Sequence, residues 1–128
     1  MAALASWHVA HESARLVAGK AAIPAHARIE TYSVLTRMPP PHRFGSELAA
    51  ALLERWFPAA RTLVPAPALS HDLVARCADR GVAGGAVYDA LVGLTASEAD
   101  LAFVTRDERA ARTYRRLGIA FELMDRGA

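Results

Sequence analysis

Three carboxylates stand in segments that are otherwise largely apolar: Glu30 in ARIETYSVL, Asp89 in GGAVYDALVG, and Asp107 soon after the run LAFVT. A carboxylate among apolar neighbours is seldom buried without a partner, because removing its charge from water is costly. Were the three to converge, their mutual repulsion would have to be relieved by protonation or by a hard cation. Magnesium or manganese suits an all-oxygen cluster, with the remaining positions taken by water and substrate phosphate. Each carboxylate also has a plainer reading. As a helix cap following a strand, Asp107 would contribute about 1 kcal/mol and need no other purpose. Glu30 and Asp89 would each be at home on the exposed side of a helix.

Basic residues become regular around Asp107. Arg106, Arg109, Arg112 and Arg115 recur every third position, with Arg116 beside the last. On a helix this is a slowly drifting stripe that could follow a nucleic-acid backbone. It could equally be a solvated face whose arginines near the C-terminus complement the helix dipole. The formal net charge is only +2, yet of the 15 basic residues Lys20 alone is lysine. The planar guanidinium fork is well matched to phosphate, so where the arginines lie matters more than their total.

Other chemistry is thinner. His8 and His11 are three apart on one predicted helix, but no third ligand has zinc-site spacing. His26, His42 and His71 are scattered. Cys77, the only cysteine, can form no internal disulfide and lies beside Leu73 and Val74 as a packed thiol. Trp7, Trp56 and Phe57 read as core or interface. GVAGGA lacks the Lys and Ser/Thr that must follow in a nucleotide-binding P-loop, which excludes that class of NTPase.

The elements that must position these residues follow from periodicity and punctuation. Helices are predicted over about 2–18, 24–38, 46–57, 70–80, 86–97 and 107–117. Strands are predicted at RTLVPAP, LAFVT and IAFELM, with AAIP too short to assign. Pro39, Pro40 and Pro41 stop one helix, and Gly81 and Gly118 sit where left-handed helix stops belong. With 128 residues and 53% hydrophobic composition, one domain with one core is expected over 1–128. Strands alternating with helices indicate an α/β fold on a parallel sheet, and such sheets place ligands beyond the strands' carboxyl ends, where Arg106 and Asp107 lie. No run of eighteen apolar residues, basic leader or disulfide framework is present, so a cytoplasmic protein with no membrane span is expected.

Taken together, ARIETYSVLTRMP, GVAGGAVYDALVG and LAFVTRDERA resemble the PIN-domain ribonucleases, specifically the VapC toxins of type II toxin–antitoxin modules. The likeness extends from WHVAHESA to LGIAFELM. It implies a three-layer α/β domain with a parallel central sheet flanked by helices. It also implies a magnesium- or manganese-dependent endoribonuclease that hydrolyses RNA phosphodiester bonds, a homodimer, and a cognate VapB-type antitoxin that blocks the acidic cleft. Carried over residue by residue, Glu30, Asp89 and Asp107 fall on the family's acidic positions. Thr105 falls on the hydroxyl position that helps orient water. The arginines from Arg106 to Arg116 would then hold RNA phosphates. The family's fourth acidic residue lies on a first strand of the form V-x-D-T/S, to which nothing ahead of Ala2 corresponds. The chain is therefore expected to be short of one strand and one ligand, through a misassigned start or a real truncation, with metal affinity and cleavage reduced. A catalytically impaired protein that binds antitoxin or RNA without cutting is the alternative. DNA binding has less support, because no recognition-helix pair is evident.

Overall fold

The computed structural model describes residues 22–100, 103–105 and 107–123. The predicted helix over 2–18, the His8/His11 pair, Trp7 and Arg106 lie outside the described residues. The chain divides into two units, one running to Thr62 and the other starting at Leu63.

In the first unit a short strand, β1 (Ile23–Pro24), leads directly into helix α1 (Ala25–Arg37). Pro24 takes an extended conformation (φ −60°, ψ 140°) and serves as the residue before the helix rather than its first turn. Met38 returns to extended backbone (φ −61°, ψ 148°), as a residue preceding proline must. Pro39 to Pro41 then form an exposed turn, closed by the His42 N–H donating to the Pro39 carbonyl at 3.0 Å. Helix α2 (Ser46–Trp56) packs on α1, with Glu47 in its first turn and Arg55 in its last, each complementing the dipole. Leu35 and Ala49 are buried at this contact, and Met38, Phe44 and Trp56 close around them. Trp56 is thus a core residue. A single 3₁₀ turn (Ala59–Arg61) leads to β2 (Thr62–Leu63), which makes a two-stranded sheet with β1.

The second unit carries helix α3 (Pro67–Asp79), helix α4 (Ala86–Glu98), strand β3 (Val104–Thr105), helix α5 (Glu108–Arg116) and strand β4 (Glu122–Leu123). α3 and α5 both pack on α4. The helix expected to begin at Ser70 starts three residues earlier, because Pro67 supplies a pre-set first turn that costs no hydrogen bond. The Ser70 N–H then donates to the Ala66 carbonyl at 3.1 Å as an ordinary helical bond. RTLVPAP correspondingly contributes only Thr62 and Leu63 to a strand.

β3 and β4 pair in parallel, Val104 with Glu122 and Thr105 with Leu123, across the α5 crossover. This is the βαβ unit of an α/β fold. Among the described residues the expected central sheet is represented by two two-stranded sheets. No described helix is long and apolar enough to cross a membrane.

Tyr114 organises the core of the second unit. Only 3% exposed, it projects from α5 among Leu73, Cys77, Leu94 and Ile119. Phe103 meets its ring edge-on at 4.9 Å, and Phe121 lies at 5.6 Å. On the α4 side the contact is with Gly93. A Cβ at that position would sit 2.9 Å from Tyr114 Cδ1 and 3.0 Å from Ile119 Cδ1, so only glycine lets α4 come this close. Asp89 stands one turn before Gly93, on the same side of α4.

Candidate active site

Asp107 occupies the turn between β3 and α5, at the carboxyl end of a parallel strand. Its side chain caps α5. Oδ1 accepts the backbone N–H of Arg109 at 2.9 Å and of Ala110 at 3.2 Å. The plain reading as a cap is therefore correct, and it leaves room for the other one. Oδ2 takes no hydrogen bond or ion pair from a described residue, so capping orients the carboxylate while leaving one oxygen open. The Asp107 N–H donates to Thr105 Oγ1 at 3.1 Å, which ties the buried Thr105 hydroxyl to the same turn.

Asp89 lies half-buried in the first turn of α4. The amide groups of that turn carry the positive end of the helix dipole, which attracts negative charge. Tyr88 beside it is 56% exposed, so the start of α4 opens to solvent while Ala90 is fully buried.

Glu30 belongs to the first unit, on α1, with a side chain 40% exposed. Its Oε1 lies 2.7 Å from Nε2 of His26, one turn earlier. The spacing H-x-x-x-E on a helix announces this pair, and it is the contact that sequence reasoning missed. Among the described residues, no three His, Cys, Asp or Glu side chains are gathered into a metal-binding group. The donor chemistry of Glu30, Asp89 and Asp107, all carboxylate oxygen, fits a hard divalent cation.

The arginine stripe separates into two kinds. Arg109 and Arg112 are exposed and bond no described side chain or carbonyl. Arg115 and Arg116 have internal contacts as well. The Arg115 guanidinium lies 5.3 Å from the centre of the Phe121 ring, and Arg116 Nη1 donates to the Gly81 carbonyl at 3.1 Å. The face opposite the stripe is apolar or small: Ala110, Ala111, Thr113 and Tyr114 are buried.

Cys77 is a packed thiol, as expected. Burial disfavours the thiolate and pushes its pKa above the ordinary value, against a smaller opposing effect of Arg76. His71 is exposed beside Asp72, with Nδ1 2.9 Å from Oδ1.

A helix-flanked parallel strand pair with an aspartate at the strand end is the arrangement expected of a PIN domain. The profile of that family matches residues 1–116, and the chain belongs to it, within its VapC group. Ribonuclease VapC40 of Mycobacterium tuberculosis is 42% identical over 125 residues, covering 97% of this chain and 92% of the relative. Ribonuclease VapC27 of the same organism is 45% identical over 100 residues, covering 78% of this chain and 72% of the relative. No solved structure matches the chain at comparable stringency.

Two single substitutions separate the capping role of Asp107 from the metal-ligand role expected of it. Asp107→Asn keeps a capping oxygen and removes the charge, so unfolding should shift little while RNA cleavage is lost. Asp107→Ala removes both, and should also cost about 1 kcal/mol of stability in urea unfolding. Cleavage by Asp107→Asn at the parent rate would leave the residue a cap alone.

Proposed function

We propose that this chain is the toxin of a type II toxin–antitoxin pair and acts as a magnesium- or manganese-dependent endoribonuclease. The observation that carries this reading is the position of Asp107. It is an oriented carboxylate at the end of a parallel strand, with one oxygen open, in a chain whose VapC relatives are named ribonucleases. Asp89 and Asp107 are assigned as metal ligands, and Glu30 as the third acidic group of the set. When bound, the ion supplies an activated water and neutralises charge developing on the phosphate.

The protein's own groups do the rest. The α5 amides hold Asp107 in one rotamer, so its open oxygen is pre-aimed and loses little freedom on binding a cation. Thr105, whose hydroxyl accepts the Asp107 N–H, is assigned the orienting of the attacking water. Arg109 and Arg112 contact phosphates and position the RNA without reading its sequence. A small VapB-type antitoxin as partner, a homodimer and a cytoplasmic location complete the reading, all carried over from the VapC likeness.

The test is cleavage of a structured RNA by the whole chain. Cleavage should need added magnesium or manganese, stop with EDTA and return with excess metal. RNA binding that weakens with salt, ignores EDTA and never leads to cleavage would instead make the chain a binding protein.

A further inference from the structure

Two arginines from different helices are fastened across one turn of the second unit. Arg80 follows the last residue of α3, and its Nη1 donates to the Arg116 carbonyl at 3.1 Å. Arg116 ends α5, and its Nη1 donates to the Gly81 carbonyl, also at 3.1 Å. The arrangement depends on the chain turning immediately after Arg80, which Gly81 permits with a φ of 68°.

Two cations on one turn repel each other, and the partly negative carbonyls at the ends of α3 and α5 offset that cost. The carbonyls do not cancel the charge. Arg80 Nε stands 3.7 Å from Asp79 Oδ2, but with these side chains 59% and 81% exposed the pair is weak and screened. Arg116 forms no ion pair among the described residues. Each guanidinium has five N–H donors and commits one to the carbonyl it holds, and both residues are exposed, so donors remain for a further ligand.

Arg116 is also in line with the α5 stripe. At 3.6 residues per turn, Arg109, Arg112 and Arg116 fall within about 60° of arc and rise about 10 Å along the exposed side of α5. Glu108 is the one carboxylate at the start of that face. Arg80 lies where the row ends.

We propose that Arg80 and Arg116 form a pre-positioned phosphate clamp that continues the Arg109–Arg112 row, so that an RNA backbone runs along α5 and over the end of α3. Guanidiniums already tied to backbone carbonyls lose less side-chain freedom on gripping phosphate than arginines that move freely in solvent. RNA as the polyanion rests on the ribonuclease reading; the clamp itself requires no cleavage.

The experiment is fluorescence anisotropy of a labelled single-stranded RNA with the whole chain, in EDTA, across a salt series. Arg80→Gln should weaken binding about three- to tenfold near 0.1 M salt and make the plot of log K against log salt shallower by about 0.7, one phosphate contact on a single strand. Arg80→Lys should restore the slope, and Arg55→Gln, on α2, should change neither quantity. An unchanged slope for Arg80→Gln overturns the clamp, whether or not its thermal midpoint falls, since a lower midpoint alone marks a structural role. Absence of RNA binding by the parent chain overturns it too. Parent cleavage measured alongside separates the two ideas. Cleavage with an unaltered Arg80→Gln slope rejects the clamp and keeps the nuclease, whereas binding that responds to Arg80 without any cleavage does the reverse.

Discussion

Asp89→Asn should lower metal-dependent RNA cleavage by about a hundredfold or more, the scale of losing one aimed electrostatic group from a reaction that develops charge on phosphate. The substitution is nearly isosteric and leaves Gly93 and Ala90 untouched, so α4 should keep its packing. Loss of the charge from the first turn of the helix should itself cost about 0.3–1 kcal/mol. Cleavage under magnesium, read beside urea unfolding of the same preparation, checks both halves. A variant that is stable and inactive supports Asp89 as a ligand. A variant that cuts as well as the parent removes Asp89 from the site.

The second large effect is structural. Tyr114→Ala should cost about 3–5 kcal/mol, the range for deleting a buried aromatic side chain, which is a large part of the 5–15 kcal/mol typical of a whole domain. The ring fills the space between α4 and α5, against Gly93 on one helix and between Phe103 and Phe121 beside the strands. Removing it leaves a void that Gly93 has no side chain to fill. The thermal midpoint should fall by about 10 °C or more, and cleavage should disappear at the temperature where tertiary structure is lost. Scanning calorimetry and near-ultraviolet dichroism report the change. A midpoint within a few degrees of the parent would show that α4 and α5 are held together by something other than this ring.

The elements around Asp107 were legible because two independent signals agree there. An apolar β-type run ends, and a helix with charge on one side begins, so the strand-end carboxylate follows from local chemistry alone. The start of α3 was less legible because two signals compete. Ser70 is a good capping residue, but Pro67 pre-sets the first helical turn at no hydrogen-bond cost, and the helix takes the earlier start. In ARTYRR the arginine spacing draws attention to the exposed face, while the residue that decides the packing is Tyr114, a single aromatic among cations. Its importance comes from Gly93, twenty-one positions earlier, and no local pattern links the two. Arg80 was hidden for the same reason, since its carbonyl partner belongs to another helix. Glu30 shows a different limit. Its segment marks it as unusual, and the His26 spacing predicts a local pair, but neither says what else its carboxylate meets.

Cleavage by this chain depends on its acidic residues holding a divalent cation. The measurement that addresses this most directly is manganese binding to the whole chain, followed by water proton relaxation, for the parent and for Glu30→Gln, Asp89→Asn and Asp107→Asn. The prediction is saturable binding by the parent, competed by magnesium and weakened about tenfold or more by each loss of a ligand charge. Binding that is indifferent to Asp89 and Asp107, or no saturable binding at all, would contradict the account.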